Sequence, residues 1–176
     1  MNIWHDIGKE RITPEKFEAL IEIPKGSKAK YELDKETGRL RLDRFLYTST
    51  VYPANYGFIP RTLAEDMDPL DVLVLCSDEI YPMTIITCKP IGVIRMYDNN
   101  ELDEKIIAVA VGDPSYKDYD DIDMLPKHIF EEMMHFFEVY KTLEHKVTSV
   151  KEICHKKVAI EVIRKCMDIY TKKYNR

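Results

Sequence analysis

Between Phe17 and Val111 the chain is written in short β-branched or aromatic runs broken by turn residues, and after about residue 120 the apolar spacing changes to steps of three and four. That switch of period confines the chain to a small sheet structure followed by helices. Leu20-Ile21-Glu22-Ile23 stops at Pro24, and Lys30–Leu33 and Leu40–Tyr47 flank a loop with Gly38 placed for a positive φ, which predicts a hairpin. Apolar residues hold the even positions from Leu40 until the register slips at Arg44-Phe45, which predicts a bulge or bend there. Asp71–Cys76, Thr84–Cys88, Ile91–Tyr97 and Lys105–Val111 continue the series, and strands this short and close favour a small closed or partly open barrel. Beyond it, Ile129, Phe130, Met133, Phe137 and Tyr140 mark an amphipathic helix from Pro126 to about Glu144. Ala159, Val162, Ile163, Cys166 and Tyr170 mark a second from about Lys156 to Tyr174. Both helices are expected to pack on the barrel.

With 176 residues, 45% of them hydrophobic, the chain can build one real core, and neither repeat nor linker divides it. One domain over residues 1–176 is the expectation. Apolar runs such as Ile106–Val111 fall far short of the roughly 20 residues of a membrane-spanning helix, and Met1–Gly8 lacks the pattern of a signal peptide. Cys76, Cys88, Cys154 and Cys166 have no metal-binding or redox spacing. A cytoplasmic protein with reduced thiols and no membrane partner is expected. The net charge of −5, without a basic stripe, disfavours a nucleic-acid partner.

The acidic residues are not evenly spread. Glu65–Asp71, Asp98–Lys105 and Asp118–Asp123 hold four carboxylates each. Carboxylates ~4 Å apart repel by about 1 kcal/mol in water and by more in a drier site, so a concentrated cluster calls for a counter-charge. An oxygen-only set without nearby His or Cys suits Mg²⁺, Mn²⁺ or Ca²⁺ rather than zinc. Alone, Glu65–Asp71 reads more readily as a solvated turn; the loop Asp98–Lys105 is what a barrel can bring beside it. Asp118–Asp123 precedes the first helix and suits the positive end of its dipole. Lys30 and Glu32 alternate along one strand, Arg44 ends the next, and Tyr52, Tyr56, Tyr140 and Lys141 add phenolic and basic groups. Carboxylates that hold metals, with cations beside them, suit a phosphate-bearing substrate. GxxxxGK[ST] and GxGxxG are both missing, which disfavours nucleotide binding by those loops.

Taken in order, Ile21-Glu22-Ile23-Pro24, Lys30–Lys35, Asp43-Arg44, Tyr52–Gly57, Asp66–Leu73, Met96-Tyr97-Asp98 with Asp103-Glu104-Lys105, and Phe136–Lys141 resemble the family I soluble inorganic pyrophosphatases. The resemblance runs from about Trp4 to Tyr170, and Trp4-His5-Asp6 with the last helix looks closer to the plant-like branch. It implies an α+β, mainly β fold: a five-stranded, OB-like closed barrel with flanking C-terminal helices. It also implies Mg²⁺-dependent hydrolysis of pyrophosphate, with Mn²⁺ or another divalent ion as a substitute, by a homo-oligomer, hexameric in preference to dimeric or trimeric. By motif position, Asp66, Asp71, Asp98, Asp103 and Glu32 resemble metal ligands, and Asp68 the proton acceptor. Lys30, Arg44, Tyr140 and Lys141 resemble the phosphate-binding set, with Tyr56 close to the nucleophile. Glu22, Tyr52 and Lys105 occupy pocket-lining positions. Met67 stands where a small or polar residue is usual, and Asn100 where Gly is common. Two other readings are an OB-type binding module, against which stand an acidic cleft and aromatic residues not arranged beside a basic groove, and a calcium-binding structural protein, which gives Lys30, Arg44 and Lys141 no common task.

Overall fold

The computed structural model describes residues 2–175. Its strands are β1 (Phe17–Ile23), β2 (Ala29–Asp34), β3 (Arg39–Phe45), β4 (Asn55–Ile59), β5 (Leu70–Leu75), β6 (Ile85–Asp98), β7 (Glu101–Ala110) and β8 (Thr148–His155). Three helices, α1 (Ile3–Asp6), α2 (Lys127–Val139) and α3 (Lys156–Tyr174), accompany them. The main sheet runs β1-β4-β5-β7-β6-β8, and a further β1–β6 pairing closes its first five strands into a ring. All its pairings are antiparallel except β5 with β7. This ring is the five-stranded closed barrel expected, with β8 added outside β6 and the hairpin β2–β3 as a separate ribbon.

The strands of the ring are buried on both faces, so their text is nearly continuous Val, Ile and Leu rather than alternating. Val72, Val74, Ile106 and Ala108 pack toward α3, which contributes Ala159, Val162, Ile163 and Cys166. The alternate residues Leu73, Leu75, Ile107 and Val109 pack toward α2, which contributes Met133, Phe136 and Phe137. Closure draws β1 and β4 together at Gly57, where an added Cβ would lie 1.8 Å from the Leu20 carbonyl oxygen, so only glycine fits.

Several elements differ from the sequence reading. Thr84–Cys88 and Ile91–Tyr97 are one bent strand, β6, with an irregular register between Pro90 and Gly92 that keeps both pieces in the sheet. The expected acidic loop Asp98–Lys105 is a two-residue turn: Asn99 and Asn100 adopt φ of 49° and 67°, and the acids stand on the strands. Asn tolerates that backbone, and two such residues make the turn whose twist matches a hairpin. The first helix ends at Val139 rather than near Glu144, and the chain continues through Lys141 into a 3₁₀ turn, Thr142–Glu144. Strands β4 and β8 have no counterpart in the sequence reading. The bulge expected at Arg44-Phe45 falls at Asp43, since Lys30 pairs with Arg44 while Tyr31 pairs with Leu42.

Candidate active site

On the α2-facing side, the strands change from apolar to charged along one direction. Leu75 and Leu73 lead to Asp71 on β5, Val109 and Ile107 to Lys105 and Asp103 on β7, and Ile94 and Met96 to Asp98 on β6. Residues two apart share a face, so this switch puts four ionisable groups side by side at one end of the ring. Register completes the set: Asp71 stands opposite Lys105 in the parallel pair, and Asp103 opposite Met96.

These groups line a pocket of about 460 Å³. Its lining includes every residue singled out from the sequence: Glu22, Lys30, Glu32, Arg44, Tyr52, Tyr56, Asp66, Asp68, Asp71, Asp98, Asp103, Lys105, Tyr140 and Lys141. The ribbon β2–β3 forms one wall, where Lys30 on β2 pairs with Glu32 and lies 3.2 Å from Asp43. Asp43 is the extra residue of the bulge, and its Oδ2 also accepts from Arg44 Nη1 at 2.6 Å. The acidic turn is held from below by Thr62, whose hydroxyl donates to the Ile59 carbonyl at 2.6 Å and accepts from the Leu70 N–H at 2.9 Å. Within the turn, Asp66 accepts the Asp68 N–H at 3.0 Å, and Met67 adopts a left-handed φ of 71°. A non-glycine residue there costs about 1–2 kcal/mol, so the loop is held in shape by its contacts rather than by preference. Asp68 pairs with Lys35 across the pocket mouth, and Lys141 with Asp98 at its far side.

At the floor, the Lys105 ammonium is 3% exposed and donates to Asp71 at 2.8 Å, to Asp103 at 3.1 Å and to the Tyr56 hydroxyl at 3.0 Å. Burial acts to lower its pKa, but Asp103 and Asp71 hold it well above the ordinary value, so it stays a cation. Tyr56 and Tyr52 are pushed up by burial and remain neutral phenols. Asp66 is raised by burial and then by Asp71, Asp68 and Asp103, and Asp103 by burial with Asp71 adding to it against Lys105.

Glu22 is the extreme case. Burial, with Asp71 adding to it, moves its pKa from 4.5 to about 8, although the Leu33 N–H donates to Oε1 at 2.8 Å. Between those values the folded protein binds a proton that the unfolded chain has released, so stability is full below about pH 4.5 and falls as pH rises through about 8. Urea unfolding of the protein in EDTA is expected to show a loss on the order of 4 kcal/mol from pH 5 to pH 9. Glu22→Gln should flatten most of that slope; an unchanged slope would remove Glu22 as its source.

Eight carboxyl groups and five cations line the pocket, and with Glu22 neutral the carboxylates remain in excess. Hard oxygen donors, an unbalanced negative charge and the raising of Asp66 and Asp103 by burial and neighbouring carboxylates fit divalent ions of the Mg²⁺ class. Elsewhere, Asp121 and Asp123 do not serve only as a lead-in to α2. They face His155, which precedes α3, with Asp121 Oδ1 2.9 Å from its Nδ1, and they raise its pKa.

A closed β ring carrying a carboxylate floor and a cationic wall suits an enzyme that handles a small polyanion together with divalent cations. Residues 19–171 match the family model described as inorganic pyrophosphatase. The chain is 48% identical over 171 residues to soluble inorganic pyrophosphatase 2 of Chlamydomonas reinhardtii, covering 97% of this chain and 89% of that protein. It is also 48% identical to soluble inorganic pyrophosphatase 1 of Arabidopsis thaliana, over 95% of this chain and 79% of that one. The crystal structure of the Thermus thermophilus inorganic pyrophosphatase superposes with a TM-score of 0.92 at 37% identity, covering 97% of this chain and 99% of that chain. The chain belongs to the soluble inorganic pyrophosphatase family, in its plant-like branch.

Sequence reasoning left out two pocket residues with a charge. Lys35 sits on the β2–β3 turn, where a lysine ordinarily reads as solvated. Asp43 looked like one more residue of an alternating strand, and only the bulge turns it toward Lys30 and Arg44.

Proposed function

We propose that the chain hydrolyses inorganic pyrophosphate to two orthophosphates in this pocket with several bound Mg²⁺ ions. The observation that carries the reading is the convergence of the whole residue set on one pocket in a chain of this family. Asp66, Asp71 and Asp103 would hold the resident metal, with Asp71 shared by a second. Asp98, Asp103 and Glu32 would hold metal that arrives with substrate. Bound Mg²⁺ supplies Lewis-acid polarisation of phosphate oxygens and lowers the pKa of coordinated water.

The chain's own groups do the rest. Asp68 takes a proton from the attacking water. Lys30, Arg44, Lys141 and Tyr140 bind phosphate oxygens from the wall opposite the acidic turn, so charge developing on the leaving phosphate meets fixed cations. Tyr56 keeps its proton and, held by Lys105 at 3.0 Å, stands as a neutral phenol beside Asp71. No serine or cysteine nucleophile is required, because positioning and charge neutralisation supply most of phosphoryl-transfer catalysis.

The same reading makes the protein a cytoplasmic homo-oligomer, a hexamer in preference to a dimer or trimer. Its support is the family and the word soluble in the relatives' names; sedimentation of the purified chain decides the assembly. Phosphate release from pyrophosphate, followed with Mg²⁺ and with excess EDTA, tests the activity. Turnover that needs Mg²⁺ is expected, and folded, Mg²⁺-supplied protein that releases no phosphate would overturn the proposal.

A further inference from the structure

We propose that Glu144 is a positioning residue that aims the Arg44 guanidinium into the pocket, an inference that rests on Arg44 binding phosphate as read above. Glu144 does not line the pocket. Its side chain is nevertheless only 7% exposed, with Oε1 2.8 Å from Arg44 Nε. On the other edge of the guanidinium, Arg44 Nη1 donates to Asp43 Oδ2 at 2.6 Å. Nε, although at ion-pair distance from Glu144, and Nη2 are both buried without a hydrogen-bond partner. Two carboxylates thus flank the guanidinium, one by an ion pair at Nε and one by a hydrogen bond at Nη1. Because the guanidinium is planar and rigid, a carboxylate on each side of it sets the orientation of the whole group.

The local chain explains how a glutamate three residues beyond Lys141 reaches that place. After α2 ends, the 3₁₀ turn Thr142–Glu144 follows, with the Glu144 N–H on the Lys141 carbonyl at 3.0 Å. Residues three apart eclipse in such a turn, so Glu144 falls on the same side as Lys141. His145 then takes a left-handed φ of 57° and stops the turn before it carries Glu144 away. One short segment therefore puts Tyr140 and Lys141 into the pocket and Glu144 behind Arg44. An ion pair at the surface would have little effect, but this one is enclosed: Lys146, 3.9 Å away, is the other cation near Glu144, and Glu144 Oε2 is buried without a hydrogen-bond partner.

The test is a double-mutant cycle on pyrophosphate hydrolysis with saturating Mg²⁺, using wild type, Glu144→Gln, Arg44→Ala and the double variant. Glu144→Gln keeps the shape and removes the charge. It is expected to raise KM about 10-fold with kcat within about two-fold, and to have no further effect once Arg44 is alanine. An unchanged KM in Glu144→Gln, while Arg44→Ala raises it, overturns the positioning role and leaves the phosphate role standing. An equal rise in both backgrounds also overturns it, since the effect then does not pass through Arg44. If Arg44→Ala leaves KM unchanged, the phosphate role of Arg44 fails and this inference with it. Should Glu144→Gln not fold, Glu144→Asp, which keeps the charge and shortens the reach, enters the same cycle with the same expected and contrary outcomes.

Discussion

Lys105→Met is expected to destabilise the metal-free protein by about 3–5 kcal/mol at pH 8 and to lower its thermal midpoint by about 10 °C or more. Methionine nearly matches lysine in length and leaves no large void, so packing loss is small and the effect is electrostatic. The ammonium is buried between Asp71 and Asp103 and donates to Tyr56 as well, so three groups of the pocket floor share it as a partner. Removing it leaves two carboxylates on adjacent strands facing each other without the cation between them, with Asp66 nearby. Two further signatures separate this cause from a packing fault. The penalty should shrink at low pH, where the carboxyls take up protons. It should also shrink on adding Mg²⁺, which restores positive charge among the same oxygens. Differential scanning calorimetry at pH 5 and pH 8, with EDTA and with Mg²⁺, checks all three. A loss below about 1 kcal/mol at pH 8 in EDTA would show that Lys105 is not what holds the floor together in the absence of metal.

Much of this site is legible as text because its residues obey short-range rules. Lys30 and Glu32 share a face by alternation, and Asp66, Asp68 and Asp71 come in one turn. What alternation cannot supply is register across strands. Asp71 stands beside Lys105 because β5 and β7 run parallel, a pairing that depends on ring closure and leaves no mark in either strand's own residues. Strand β4 carries little strand signal of its own, because Pro53, Asn55 and Gly57 punctuate Tyr52–Gly57, and its glycine is required by the approach of β1 rather than by a turn. Strand β8 was passed over because it lies at the sheet's outer edge. With one neighbour and a largely exposed face, Thr148–His155 carries few apolar residues. Asp43 and Glu144 escaped for the same kind of reason. Each works through Arg44, by way of a bulge or a turn whose geometry is tertiary.

Asp68→Asn is expected to lower kcat by about 10²- to 10⁴-fold, the range for loss of a positioned proton acceptor, while leaving the fold intact. The amide has the size and planarity of the carboxylate but cannot accept the proton of the attacking water. Structural cost should be small. The Asp68 side chain is 52% exposed, and its cation partner Lys35 is 48% exposed, so the pair that is lost is worth little. The loop's own bonds do not use that carboxylate: Asp66 accepts the Asp68 N–H, and the Asp68 carbonyl accepts the Ala64 N–H at 2.8 Å. Asp66, Asp71 and Asp103 remain to hold metal, so Mg²⁺ affinity measured by calorimetry should change by less than about 10-fold, less than the loss of a ligand would cause. A second variant, Asp71→Asn, separates the roles, since it is expected to weaken Mg²⁺ binding together with turnover. Full activity in Asp68→Asn would remove Asp68 as the proton acceptor. A loss of activity that additional Mg²⁺ restores would reassign it to the metal ligands.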